Sequence, residues 1–333
     1  MHRASLKTHL LAAGAALALV TPALATPTLA SEPPLRVLAT VGMIADVAQN
    51  VAGDCAQVTA LLGPGVDPHY YSATPQDVNA IAAAELIFYV DRALEERLAD
   101  VLQRFRERTP TVGLLATTFA APDLLDDPDE PGVVDPHLWM DVSRWARTAP
   151  VIAEAIAELR PHCAAMMAAN VEALTVQFTA LHGWVGEAIA SIPEGQRLLV
   201  TAHDAFEYFS NAYGIEASEA IEGISTATEA SIADIREVAA FVVERAVPAV
   251  FVESTISPRT IEALVAEVRR RGHDVVIGGE LFSDAMGDAG TPEGTYIGMI
   301  RANTVTITEA LGGTVPDWPL ALHGWADAWG VAP

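Results

Sequence analysis

Val58-Thr59-Ala60-Leu61-Leu62-Gly63-Pro64-Gly65-Val66-Asp67-Pro68-His69 runs from a short apolar strand through a glycine- and proline-rich loop to a histidine. Proline fixes its own φ and pushes the residue before it toward extended backbone, so Asp67-Pro68 presents His69 from a stiff bend. The tripeptide recurs as Asp135-Pro136-His137. Around the first copy the chain alternates: strand Arg36 to Val41, a helix around Ile44 to Val51, strand Val58 to Leu62, helix Pro75 to Ala84, strand Leu86 to Val90 and helix Leu94 to Arg106. The second half repeats the rhythm with strand Leu198 to Thr201, helices Ala205 to Tyr213 and Ile232 to Arg245, strand Ala249 to Val252, helix Pro258 to Arg271 and strand Val275 to Ile277. Alternation at this spacing predicts parallel sheets with helices on both faces. Between the halves, Pro161 to Ile192 is free of internal proline, and Met166, Val171, Leu174, Phe178 and Leu181 recur at roughly helical spacing. The expectation is therefore an α/β fold of two lobes joined by a single long linker helix.

Two further donors stand where His69 does. His203 follows the apolar run Leu198-Leu199-Val200-Thr201-Ala202, and Asp284 stands in Leu281-Phe282-Ser283-Asp284 beyond Val275-Val276-Ile277. Ligands of parallel α/β sheets collect beyond the carboxyl ends of the strands, so His69, His203 and Asp284 should converge on one edge. With His137 they make four nitrogen and oxygen donors, enough to hold a borderline divalent cation. A lone loop histidine is ordinarily only solvated, and an aspartate after a strand is often a helix N-cap; the joint pattern is what singles these four out. His162, His182, His273 and His323 lack such context and read as ordinary surface or helix residues.

His2, Arg3 and Lys7 precede the apolar stretch Leu10 to Val20, and Ala23-Leu24-Ala25 supplies a small-residue cleavage signal, with a second at Ala30. Residues 1–30 thus read as a secretory signal peptide cleaved after Ala25 or Ala30. The expected organisation is an N-terminal lobe over 31–160, the linker helix over 161–192 and a C-terminal lobe over 193–333. No cysteine lies near either cleavage point, so the expectation is a freely diffusing periplasmic monomer and not a lipid-tethered protein. The formal charge of -24, from 43 acidic and 19 basic residues, makes nucleic acid and anionic membranes poor partners.

Taken in order, Gly65-Val66-Asp67-Pro68-His69 with Pro75 downstream, Asp135-Pro136-His137-Leu138-Trp139-Met140-Asp141, Thr201-Ala202-His203-Asp204-Ala205-Phe206 and Leu281-Phe282-Ser283-Asp284-Ala285-Met286-Gly287 resemble the ligand segments of a known family. It is the TroA/ZnuA-like family, the metal-binding solute-binding proteins of zinc and manganese ABC importers. The resemblance covers nearly the whole chain after the leader. It implies an ion held between His69 and His137 of the first lobe and His203 and Asp284 of the second. It further implies a membrane permease with its cytoplasmic ATPase as partners, and it admits a periplasmic metallochaperone. Members resembling manganese receptors commonly carry glutamate at the third ligand. His203 instead gives three imidazoles and one carboxylate, a set that suits zinc, Zn2+. Manganese, Mn2+, is the alternative, since a bidentate Asp284 raises the coordination number. Two departures stand out. Residues 123–135 are acidic and hold no histidine where many zinc receptors carry a His-rich loop, and Glu207 sits where relatives often have glycine.

Cys55 precedes the strand whose far end leads to His69, and the helix beginning near Asp141 brings Cys163 to that same distal side. In an oxidising compartment the two either pair or remain separate buried thiols. The rival functional classes are an exported zinc hydrolase and a metal-dependent adhesin. A catalytic zinc keeps a position open for water, which four protein donors would fill, and the chain has no His-Glu-x-x-His helix or Gly-x-Ser-x-Gly elbow. The tail beyond Gly313, with Trp318, Trp325 and Trp329, is expected to pack across the second lobe.

Overall fold

Strands β1 (Leu35–Ala39), β2 (Ala56–Ala60), β3 (Leu86–Tyr89) and β4 (Thr111–Gly113) pair in parallel in the order β2-β1-β3-β4. β1 is central and buries Leu35, Val37, Leu38 and Ala39, as a strand covered by helices on both faces must. The helix that returns from it, Gly42–Ala52, buries Met43, Ile44, Val47, Ala48 and Val51, a stripe at helical spacing. The computed structural model describes residues 32–92, 94–127, 132–227 and 230–332; the leader read at residues 1–30 lies outside them.

The second half uses the same order. β5 (Leu198–His203) pairs with β6 (Ala217–Glu222), β7 (Ala249–Glu253) pairs with β8 (Val276–Leu281), and β5 lies beside β7, giving β6-β5-β7-β8. Both pairs are parallel. β8 carries an irregularity opposite Val250 and Phe251. Gly278 lies there because a Cβ would stand 2.7 Å from the Ala310 methyl and 2.8 Å from the Phe251 ring, so only glycine lets helix Tyr296–Ala310 approach β8 this closely.

Helix Ala164–Ala190 joins the halves, and at 27 residues it is about 40 Å long. Its start differs from the expected Pro161. Arg160, at φ -137° and ψ 66°, ends helix Thr148–Leu159, and Pro161–Cys163 forms a single 3-10 turn before the α-helix begins. The helix packs on Gly42–Ala52 from one half and on Tyr296–Ala310 from the other, and one buried apolar cluster runs through both halves, including Met167, Leu174, Phe178 and Leu181 of the helix. Among the described residues no helix is long and apolar enough to cross a membrane.

Several elements depart from the sequence reading. Helix Leu94 to Arg106 shrinks to Ala99–Phe105: after the positive φ values of Asp91 and Arg92 (75° and 54°), residues 94–98 form tight turns, with Leu98 N–H donating to the Glu95 carbonyl three residues back. β4 is only three residues long, and β6, Ala-Ser-Glu-Ala-Ile-Glu, has no apolar run to betray it. The tryptophan tail packs on the linker helix as well as the second half: Trp318 meets Trp184 edge-on at 4.7 Å, and the Trp184 indole N–H donates to the Pro316 carbonyl. Cys55 and Cys163 form a disulfide with Cα atoms 6.4 Å apart. It ties the base of β2 to the turn that opens the linker helix, on the distal side where the sequence puts both residues.

Candidate metal centre

Each Asp-Pro-His tripeptide folds into the same local device. Asp67 Oδ1 accepts the backbone N–H of His69 at 2.9 Å, and Asp135 Oδ1 accepts that of His137 at 2.8 Å. An aspartate bonding the backbone two residues on makes a side-chain turn, and the intervening proline has no N–H to compete. His203 is the last residue of β5, paired with Glu222 of β6. Asp284 stands three residues beyond β8, where the Asn303 side chain clasps Phe282 by accepting its N–H at 2.8 Å and donating to its carbonyl at 2.7 Å.

The structure brings all four sequence-predicted donors together. They are fully buried, and their candidate ligand atoms lie within 4.8 Å of one another. His69 Nε2 is 3.3 Å from His137 Nε2. Asp284 Oδ1 is 3.3 Å from His137 Nε2, while Oδ2 is 3.3 Å from His203 Nε2 and 3.7 Å from His69 Nε2. Donors about 2.0–2.1 Å from a tetrahedral ion stand about 3.3–3.4 Å from one another, the spacing of three of these four separations, with the fourth at 3.7 Å. His203 Nε2 and both Asp284 oxygens have no hydrogen-bond partner despite complete burial, an arrangement that costs free energy unless something else satisfies them.

A second layer of carboxylates backs the rings. Asp135 Oδ1 is 2.8 Å from His137 Nδ1, and Glu253 Oε2 is 2.5 Å from His203 Nδ1. Glu253 Oε1 also accepts the backbone N–H groups of Ala202 and His203 at 2.8 and 2.9 Å. Such partners fix which ring nitrogen faces inward. Sequence reading missed Glu253; its one signal is that it ends the apolar run Val250-Phe251-Val252, the kind of position that marks the donors themselves. Contacts also cross between halves. The Trp139 indole N–H donates to the Ser283 carbonyl at 2.9 Å, binding the His137 segment to that of Asp284, and the Thr226 hydroxyl donates to Asp67 Oδ2 at 2.6 Å.

Burial is the largest influence on the site's charges, and it is overruled. It pulls His137 down, yet Asp135 and Asp284 lift that ring to about 9. Burial likewise pulls His203 down, and Glu253 with Asp284 raises it well above the usual imidazole value. Asp284, which burial alone would raise, is held well below the ordinary carboxylate range by His203 and His137. Without an ion, the centre thus stores positive charge on imidazoles around one carboxylate. Beside it Asp204 is pushed up to about 7 by burial and then by Glu207 and Asp135, which places Glu207, the residue that departs from the family pattern, at the edge of this acidic surrounding.

Among the described residues the other histidines lie elsewhere, His323 with Nε2 3.3 Å from the Trp318 carbonyl. His182 Nδ1 lies 3.1 Å from the Tyr213 hydroxyl, and His273 Nε2 is 2.8 Å from the Val247 carbonyl. His162 adjoins the disulfide, whose sulfurs are already bonded to each other.

Comparison with known proteins gives the chain a family. A family profile described as zinc-uptake complex component A, periplasmic, matches residues 37–310. The zinc-binding protein TroA of Treponema pallidum is 43% identical over 275 residues, 83% of this chain and 88% of that protein. The manganese-binding lipoprotein MntA of Bacillus subtilis is 40% identical over 278 residues, 83% of this chain and 90% of that protein. The solved structure of the periplasmic zinc-binding protein TroA from Treponema pallidum superposes with a TM-score of 0.80 at 42% identity, covering 84% of this chain and 99% of the other. Family profile, relatives and solved structure agree, and the chain belongs to the zinc-uptake component A family, the exported metal-binding solute-binding proteins of ABC importers.

Proposed function

We propose that this protein captures zinc between its two halves, held by His69, His137, His203 and Asp284, and delivers it to a membrane permease driven by a cytoplasmic ATPase. The observation that carries the reading is the spacing of the donor atoms, 3.3 Å along three edges of the cage, which suits a tetrahedral ion with three nitrogens and one oxygen. In this reading the lobes are residues 31–160 and 193–333, the helical segment 161–192 links them, and residues 1–30 direct export to the periplasm. The chain is a carrier and not an enzyme, since four protein donors leave a tetrahedral ion no position for a reacting water. Nothing in the fold or the comparisons supports a metallochaperone as an additional partner.

Manganese is the second reading, and one feature favours it: both Asp284 oxygens face the cage, so a bidentate carboxylate adds a fifth, oxygen donor. Imidazole-rich sites nevertheless rank zinc far above manganese. Zinc is expected to displace manganese at comparable free concentrations, with about one ion bound per chain, and His203→Glu is expected to narrow the gap by exchanging a nitrogen donor for oxygen. Equilibrium competition with both metals buffered by chelators measures this. Manganese retained against equal free zinc overturns the zinc assignment.

Zinc needs neutral imidazoles, so uptake must expel the protons that His137 and His203 hold in the free protein. Because the raised His137 value is about 9, its proton competes with metal at every pH below about 9, and His203 competes in the same direction. Affinity is therefore expected to rise with pH through the neutral range and to fall in acid. Calorimetry at pH 7 in buffers of different ionisation enthalpy should record about two protons released per zinc. Release of none would show that these rings are already neutral and that the charge balance described for the free centre is wrong.

A further inference from the structure

All four cage donors are buried, so an ion needs a way in, and on the His137 and His203 sides the cage is backed by protein. Asp135 and Glu253, themselves buried, stand behind His137 and His203, and Trp139 packs edge-on against the His137 ring at 5.2 Å. The Asp284 side is different. A cavity of about 320 Å³ reaches Asp284 itself, walled by Ala45 of helix Gly42–Ala52, by Leu62 and Val66 of the loop leading to His69, and by Met286. A second cavity of about 420 Å³ lies beside it, wider open to solvent and lined in part by Asp288 and Glu293. Pro64, Met286 and Gly287 line both cavities. Of these three, Met286 alone has a long flexible side chain, and it reaches across to the start of helix Gly42–Ala52, where its terminal methyl would lie 2.9 Å from a Cβ at Gly42.

We propose that the ion enters and leaves past Asp284 through these two cavities, with the Met286 side chain as the movable partition between them. This rests on the reading of the cage as a metal site. The outer cavity carries carboxylates, which raise the local concentration of a cation. The inner one is largely apolar and has one carboxylate besides Asp284 on its wall, that of Asp46, which already accepts the backbone N–H of Tyr296. Methionine is unbranched with three rotatable bonds, so it can vacate the junction without moving backbone. A passage has a signature that a ligand does not: narrowing it slows entry and exit alike, because it changes the barrier and leaves both end states as they were.

The test is stopped-flow transfer of zinc between the full-length folded protein and a chromophoric chelator, in both directions. Ala45→Leu adds bulk to the inner cavity from a partly exposed helix position, and it is expected to lower the association and dissociation rates together, each about tenfold, with Kd within about threefold of the parent. Met286→Ala removes the partition and should raise both rates with Kd similarly unchanged, which keeps the proposal testable if the leucine variant folds poorly. Ala45→Leu exchanging zinc as fast as the parent overturns the route, as does a change confined to the dissociation rate. Slowing by Glu207→Trp in place of Ala45→Leu would move the entrance to the Asp204 side and equally overturn it. A parent protein that takes up no zinc defeats the receptor reading itself, an outcome distinct from any of these.

Discussion

His203→Ala is expected to weaken zinc binding by about a hundredfold. Four-donor zinc sites hold their ion with an apparent 10–16 kcal/mol, so one donor of four carries on the order of 3 kcal/mol, about two decades in Kd. His203 is the donor to test because two other observations converge on it. It ends β5 in a fully buried position, and Glu253 holds both its ring and its backbone. Removing the imidazole therefore also strands a buried carboxylate, and the variant should be checked for native circular dichroism before binding is scored. His137→Ala should behave alike, whereas Asp284→Ala is expected to cost less, because imidazole is the stronger donor to zinc. If His203→Ala binds zinc like the parent at neutral pH, the ligand set is wrong.

The largest expected loss of stability comes from the opposite end of the molecule. The Cys55–Cys163 bond spans 108 residues of sequence, and closing a loop of that size lowers the entropy of the unfolded chain by about 4–5 kcal/mol in the loop-closure account. Replacing both cysteines by serine is expected to lower the free energy of unfolding by about 3–5 kcal/mol, seen as a fall in the urea midpoint with a steeper slope, because the unfolded chain freed of the bond exposes more surface. Zinc affinity of the folded variant should change by less than about threefold, because the bond sits at the base of β2 while His69 emerges beyond its far end. An unchanged midpoint would mean that the segments it joins, residues 53–55 and 161–163, are held together equally well by packing.

The two kinds of residue behind these predictions were not equally legible. His69, His137, His203 and Asp284 announce themselves locally, each beside a proline or after an apolar run, and the parallel α/β rhythm is enough to bring strand ends to one edge. Glu253 does not, although it ends a strand in the same way. Its role depends on β7 lying beside β5, which lets the Glu253 side chain reach backbone 50 residues earlier, a neighbourhood that no local pattern encodes. β6 is hidden for a related reason: Ala217–Glu222 is polar enough to pass for a loop, and it becomes a strand because β5 offers it a ladder. The linker helix was legible in its interior except at Met166, which the spacing puts on the apolar stripe and which is exposed while Met167 is buried in its place, and it was misplaced at its ends, where Pro161 opens a tighter turn and the helix stops at Ala190, short of Ile192. Helix Leu94 to Arg106 was overextended because its apolar periodicity continues through residues 94–98, whose backbone bonds close over three residues and form turns in place of α-helix.

The cage draws its donors from residues 69 to 284, two from each half, with the 27-residue helix between them. A chain that has formed only its first half owns two imidazoles and no anionic donor, too few to outbid water and small chelators for an ion. On the proposed ligand set, cargo is refused until the last strand is in place, and a chain still passing unfolded across a membrane carries no metal with it. The order of the sequence acts as a timer: the compartment in which folding finishes, and not the one in which synthesis begins, decides which ions the protein ever meets.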